Sequence, residues 1–254
     1  MSIITKKRQL HLGALYSGNN AGTVWRHPDT KSQIAFSSFQ EFTQTAERGK
    51  FDFLFLAERL GIREHKGKVL EYVSAGRPDA MTILSALATV TSHIGLLATI
   101  NTTFNDPFQV ARQFATLEAI SGGRSAWNIV TTHDVGENFS AGNYLDYKDR
   151  YERAEDVIKL SDLLWQSWKL DANNRYQQSL VEYHSRFLDF KGKFSVKPSP
   201  QGRPIIVQAG VSDTGRDFAA QHADVIFTNL PNKDYGAAFR DDISRRAIGF
   251  GRDA

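Results

Sequence analysis

A chain of 254 residues, 41% hydrophobic and with 17 Phe and 4 Trp, has the apolar area for a substantial core and is not a disordered segment. It holds no cysteine, which excludes disulfides, thiolate catalysis and Cys-ligated zinc. A formal charge of +3 does not make a polyanion groove, because basic residues alternate with acids ("YKDRYERAED", "FRDDISRR") as on solvated helix faces, and nucleic acid is not an expected partner.

The N-terminus "MSIITKKRQLHLGAL" has no long apolar segment behind its basic residues, and no run reaches the length of a membrane helix. A cytoplasmic protein without membrane contact is expected. The first strand is predicted at "LHLGALY" (10–16), and it runs into the long loop "YSGNNAGTVWRHPDT", where His27 reads as loop packing. Ser38 to Glu41 has the spacing of a capping box at the start of a helix. "FDFLFLA" (51–57) and "IGLLATI" (94–100) are the second and third strands. Asp106-Pro107-Phe108-Gln109 combines an N-cap, a proline suited to the first helical position and a back-reaching glutamine. That helix carries Val110, Phe114, Leu117 and Ile120 on one stripe and stops at Gly122-Gly123. "SAWNIVT" (125–131) is the fourth strand, followed by a longer helix with Tyr151, Ala154, Ile158, Ser161, Trp165 and Trp168 on one face. The segment 170–203 breaks the rhythm and reads as an insertion, with a small hairpin in "FLDFKGKFSVKPSP" turned by Lys-Gly. "PIIVQAG" (204–210) and "ADVIFT" (223–228) complete the series.

Most of these strands are nearly continuous apolar runs, as in parallel sheets covered on both faces. Strand–helix units leave an open doubly wound sheet or a barrel, and the loop after the first strand lacks the G-x-G-x-x-G turn of the dinucleotide-binding sheet. A barrel needs eight strands, of which six are readable. The expectation is one α/β domain over 1–254, a (β/α)8 TIM-barrel that is incomplete and truncated at its C-terminus, with 170–203 inserted in it.

In such a barrel the site lies at the C-terminal ends of the strands. Those ends carry Glu58, then Asn101-Thr102-Thr103, Thr131-Thr132-His133, "QAGVSD" and Thr228-Asn229. Each alone is an ordinary strand exit; together they would converge on one rim. The turn from Gln208 to Ser212 suits a phosphate at a helix N-terminus, and a plain serine cap explains it equally well. There is no nucleophile elbow, H-E-x-x-H or cluster of metal ligands, so no metal is expected. His11, His93 and His222 sit beside apolar runs, where a satisfied structural role is the default, and His133 reads as a loop residue. Binding groups without an acid, base or nucleophile point to a cofactor that carries the chemistry.

The strings "LHLGAL…WRHPD", "FDFLFLAE", "NTTFNDPFQVARQFATLEAISGGRSAWNIVTT", "DRYERAED" and "PQGRPIIVQAGVSDTGRDFAAQHADVIFT" together resemble the nitrilotriacetate monooxygenase component A family of bacterial-luciferase-like flavin monooxygenases. The resemblance runs from residue 9 to 229, and its 99–132 and 200–228 blocks are the most specific. It implies a luciferase-type barrel that takes reduced FMN (FMNH2) from a separate NAD(P)H:flavin reductase and, with O2, oxygenates a small organic substrate through a flavin C4a-(hydro)peroxide. A homo-oligomer is expected. The cofactor positions it implies are Glu58, where an aspartate is usual after "FLA", Thr102 in the "NTT" turn, Tyr151 of the "RY" element, and Ser212 at the phosphate. Tyr147 stands where many members have a histidine, four residues before that tyrosine, and Asn19-Asn20 stand where the first loop commonly has a His pair. No catalytic residue is assigned by it. Two further readings are a flavin-binding barrel that does not catalyse and a deazaflavin-dependent oxidoreductase.

Overall fold

A computed structural model describes residues 9–16, 29, 31–62, 64–69, 76–132, 138–139, 145–199 and 201–253. In chain order these form β1 (Gly13–Leu15), α1 (Phe36–Arg48), β2 (Phe53–Leu56), β3 (Glu64–His65), β4 (Lys68–Val69), α2 (Ala80–Ala88) and β5 (Gly95–Asn101). There follow α3 (Pro107–Ser121), β6 (Ser125–Val130), α4 (Tyr147–Trp165), β7 (Trp168–Leu170), β8 (Tyr176–Gln178), β9 (Val181–His184) and β10 (Asp189–Gly192). The described chain closes with β11 (Ile205–Gln208), α5 (Asp213–His222), β12 (Val225–Ile226) and α6 (Lys233–Gly249).

Six strands make one sheet in the order β1-β2-β5-β6-β11-β12, every neighbouring pair parallel. They are the six apolar runs predicted, adjacent in chain order, with no reversal of strand order. The sheet also curls. Phe55 on β2 and Phe227 just after β12 have ring centroids 5.6 Å apart. Four steps of ~4.8 Å would put those strands about 19 Å apart in a flat sheet. Their side chains meet because both point into a concave face, as in a barrel wall.

Alternation along the strands sorts the core. Leu54, Leu56, Leu96, Ala98, Ile100, Trp127, Ile129 and Ile206 face outward and pack under the helices. Phe55, Leu97, Ala126 and Val207 face inward and form a smaller cluster. The outer layer is closed by Phe114 of α3 stacked on Trp127 at 5.2 Å, with Trp165 of α4 edge-on at 6.4 Å. Deleting one such ring costs ~3–5 kcal/mol.

Several local expectations need correction. Helix α1 begins at Phe36 with Ala35 at its cap, and Ser38 is buried in the first turns. The Ser38 hydroxyl bonds Tyr16, whose ring meets Phe39 at 4.8 Å, so a long-range contact takes the group a capping box would use. Ile120 is 48% exposed, off the stripe completed by Ala111, Ala115 and Glu118. Helix α4 ends at Trp165, and Trp168 instead begins β7 and donates its indole N–H to Phe194 O at 3.0 Å. In place of one hairpin within 170–203 there are two, β7–β8 and β9–β10, and the first already begins at Trp168, before the expected start of the insertion. The second turns at Ser185–Leu188, where the Ser185 hydroxyl accepts from the Phe187 and Leu188 N–H groups, and Gly192 pairs Val181 at its foot. The caps of α3 are as expected: Asp106 accepts from Gln109 N at 3.0 Å, and Gly122 closes the helix at φ 69°. The Gln109 side chain does not reach back; it accepts from Arg112.

Candidate functional site

Parallel strands send all their C-terminal ends to one rim, and there the polar residues gather in two groups. The first is built on β2 and β5. Asn101, wholly buried at the end of β5, donates from Nδ2 to Glu58 Oε2 at 3.0 Å and accepts from Phe104 N at 2.8 Å. Burial raises the Glu58 carboxyl to about 7, the negative charge of Asp79 adds to the rise, and the Asn101 hydrogen bond opposes it. A carboxyl that titrates near neutrality can hold or release a proton at the rim.

Thr102 follows directly and is also sealed. Its N–H donates to Val130 O at 3.0 Å, and its hydroxyl leans to the same oxygen at 3.4 Å. Arg153 of α4 donates to Thr102 O at 2.9 Å and to Asn105 O at 3.1 Å, tying this exit to the helix that carries the second group. The neighbouring Thr103 hydroxyl and that of Thr228, after β12, are buried without a partner among the described residues. A native fold rarely leaves such hydroxyls idle.

The second group joins α4 to the turn after β11. Tyr147 and Ser212 hydrogen-bond through their hydroxyls. The Tyr147 and Tyr151 rings are 5.3 Å apart, one helical turn from each other. Burial raises the Tyr151 phenol, whose hydroxyl lies beside those of Tyr147, Ser212 and Thr131. Ser212 is also the N-cap of α5, accepting from Gly215 N at 3.2 Å. The chain passes very close here. A Cβ on Gly215 would lie 2.9 Å from Gly210 Cα and 2.9 Å from the Tyr151 hydroxyl, so neither glycine tolerates a side chain.

Asp213 and Asp217 would oppose an anion at the start of α5, but both are paired: Arg246 of α6 reaches Asp213 at 2.9 Å and Asp217 at 2.6 Å. The positive end of the helix is left to whatever sits in front of it.

Of the five predicted cofactor positions, Tyr147, Tyr151 and Ser212 are brought together, Glu58 stands apart with Asn101, and Thr102 turns its side chain toward β6. His133, Asn19, Asn20 and His27 lie outside the described residues. Asn101 was read from the sequence as one of the rim exits, without its bond to Glu58. One buried polar residue beside these groups escaped sequence reading. Arg150 sits in the alternating charges of "YKDRYERAED", which read as a solvated face, yet it is 8% exposed. Its signal was the helical register, which puts it with Ala154, Val157 and Ser161 on the buried stripe. Among the described residues no group of His, Asp or Glu is placed to hold a metal ion, and no helix is long and apolar enough to cross a membrane.

The model of the luciferase-like monooxygenase family matches residues 21–254. N-acetyl-S-(2-succino)cysteine monooxygenase of Bacillus subtilis is 38% identical over 98% of this chain and 59% of its own length. Nitrilotriacetate monooxygenase component A of Aminobacter aminovorans is 36% identical over 97% and 60%. A riboflavin lyase, whose crystal structure holds a modified FMN and its substrate riboflavin, superposes with a TM-score of 0.85 at 28% identity, over 97% of this chain and 60% of that one. The chain thus spans about three fifths of the length of the curated relatives it matches. By strand order, curl and sequence, the chain belongs to the luciferase-like monooxygenase family, and its six parallel strands are an incomplete barrel of that type.

Proposed function

We propose that this chain is the oxygenating part of a two-component monooxygenase that binds FMN at the rim, receives it reduced from a separate flavin reductase, and acts on a small organic substrate. The observation that carries the reading is the cradle at the start of α5: three hydroxyls and a pair of glycines at closest approach, before a helix N-terminus whose acids are already paired. A phosphate fits it through charge-assisted hydrogen bonds and the helix dipole. The idle hydroxyls of Thr103 and Thr228 and the Glu58–Asn101 pair supply donors and acceptors for a polar ring system along the same rim.

Bound and reduced, the flavin would supply the activation of O2 and the transfer of one oxygen atom. The residues of this chain bind, orient and manage protons. Ser212, Tyr147 and Tyr151 hold the phosphate end. Glu58, ionised or neutral near pH 7, takes or gives a proton while Asn101 keeps its carboxyl in place.

A flavin-binding role without oxygenation has one observation in its favour: inner-face residues Leu15, Val225 and Phe227 are 46%, 42% and 45% exposed, so water reaches the concave side of the sheet. Oxidation of reduced FMN in the presence of the chain separates the readings, because a bare binder releases one hydrogen peroxide per flavin whatever substrate is added.

The cradle itself is tested by Ser212→Ala. Losing one charge-assisted bond costs ~1.5–3 kcal/mol, roughly ten- to a hundredfold in affinity. FMN should bind that much more weakly in a fluorescence titration, and riboflavin, which has no phosphate, should be unaffected. Equal losses for both flavins would reduce Ser212 to a helix cap.

A further inference from the structure

Arg150 is an inward charge beside the cradle, in the first turn of α4, that the cradle leaves unexplained. It is 8% exposed, its Nε is buried with no partner, and among the described residues its guanidinium makes no hydrogen bond or ion pair. Its Cζ lies 5.6 Å from the centroid of the Tyr147 ring, the ring whose hydroxyl bonds Ser212. The nearby acids are engaged elsewhere: Asp149 grips Arg186 at 2.7 and 2.8 Å, and Asp213 is held by Arg246. Other partly buried arginines show what a satisfied one looks like. Arg124 donates to the carbonyls of Ile94, Ala88 and Thr91, and Arg203 grips Asp224 with both terminal nitrogens. A guanidinium stays protonated at any physiological pH, so one enclosed without a counter-charge is a standing cost to the fold.

We infer that Arg150 is an anion-binding residue of this site: its guanidinium supplies the charge, and the start of α5 with its hydroxyls supplies the directional bonds, for one oxyanion held between α4 and α5. On the function proposed above, that oxyanion is the phosphate of FMN. The cation–ring contact with Tyr147 keeps the guanidinium in place while its terminal nitrogens remain free to donate.

A structural arginine and a ligand-binding one respond oppositely to removal of the charge. Arg150→Gln should leave the unliganded chain about as stable as the parent, since a buried charge is removed and only the cation–ring contact with Tyr147, with no hydrogen bond or ion pair among the described residues, is lost. The same variant should bind FMN about ten- to a hundredfold more weakly, with riboflavin unchanged and Arg150→Lys recovering part of the loss. Two measurements suffice: thermal melting without ligand, and titration with FMN and with riboflavin. A lower melting temperature together with equal weakening for both flavins overturns the assignment, as does unchanged FMN binding in Arg150→Gln where Ser212→Ala weakens it. Inorganic phosphate separates this inference from the flavin reading. If the parent binds neither flavin, phosphate should still raise its melting temperature and fail to raise that of Arg150→Gln; protection of both alike removes the anion site.

Discussion

Two buried titratable side chains give the fold opposite responses to pH. Burial lifts Glu58 from 4.5 to about 7, so between these values the folded chain binds more protons than the unfolded one. Stability from this group is full below pH ~4.5 and falls as pH rises through ~7, by an amount on the order of a few kcal/mol. Glu58→Gln mimics the neutral carboxyl, and urea melts should show it more stable than the parent at pH 8 and no different at pH 5. His222 is the reverse case. Burial between α4 and α5 lowers it from 6.5 to about 4, against the pull of Glu155 and with help from Lys159 and Arg252. Its ring packs on Phe218 at 4.9 Å and its Nε2 has no partner among the described residues, so the satisfied role read from sequence is not the one observed. Here the unfolded chain binds the extra proton, and stability is lost as pH falls from ~6.5 toward ~4. His222→Phe should keep the ring contact and remove that acid limb, with little change at pH 8. If neither variant alters the pH profile, the two groups are solvated enough to keep their ordinary values. Neither behaviour could be read from sequence, because a shift needs to know what surrounds the group, and the neighbours come from elements far along the chain.

At the scale of elements, what was legible is what local chemistry decides alone. Asp106-Pro107 begins a helix and Gly122 ends it because caps and a left-handed glycine act within a few residues. The six sheet strands were legible because each is buried on both faces and therefore apolar throughout. Ser38, Trp168 and the second hairpin were misplaced because Tyr16, Phe194 and Asp156 claim side chains that local rules assign elsewhere; Asp156, for instance, accepts from both Tyr183 at 2.7 Å and Ser185 at 2.6 Å. The same limit applied to the site: Ser212 and Tyr151 were visible as motif residues, whereas Arg150 and the Gly210–Gly215 contact exist only once α4 and α5 are packed. The opposite end of the sheet shows what a barrel reserves for stability. Arg124, at the start of β6, reaches across to the carbonyls of Ala88, Thr91 and Ile94 and to that of Ser121, bracing α2, β5 and α3 together. Arg124→Met should strand several of these acceptors and cost ~3 kcal/mol or more. Denaturant melts should register that loss while FMN affinity, which the proposed function places at the other rim, stays within about twofold of the parent; a coupled loss of both would mean the two ends are not independent.

At the scale of the whole molecule, the described residues leave a strip of exposed apolar side chains on the inside of the sheet. Single exposed apolar residues are ordinary, but these are contiguous. Leu15 lies opposite Phe55 in the β1–β2 register, and Phe55 meets Phe227 across the curl. Val225 pairs with Val207 beside Ile205, which is 38% exposed. Among the described residues nothing pairs with the outer edges of β1 or β12, so unpaired backbone borders the apolar strip on both sides. Open edges next to an apolar face are the usual template for association. The chain as it stands is therefore expected to self-associate in solution, with a weight-average mass that rises with concentration. Phe227→Ser together with Val225→Thr removes apolar area from the inner face without touching α4, α5 or the cradle. Sedimentation velocity over a concentration series should show that double variant shifted toward monomer, with its FMN affinity unchanged. Weaker FMN binding in step with dissociation would show that the cradle depends on the assembled form. A parent chain that is monomeric and monodisperse throughout the series would show instead that the concave face is covered within a single chain.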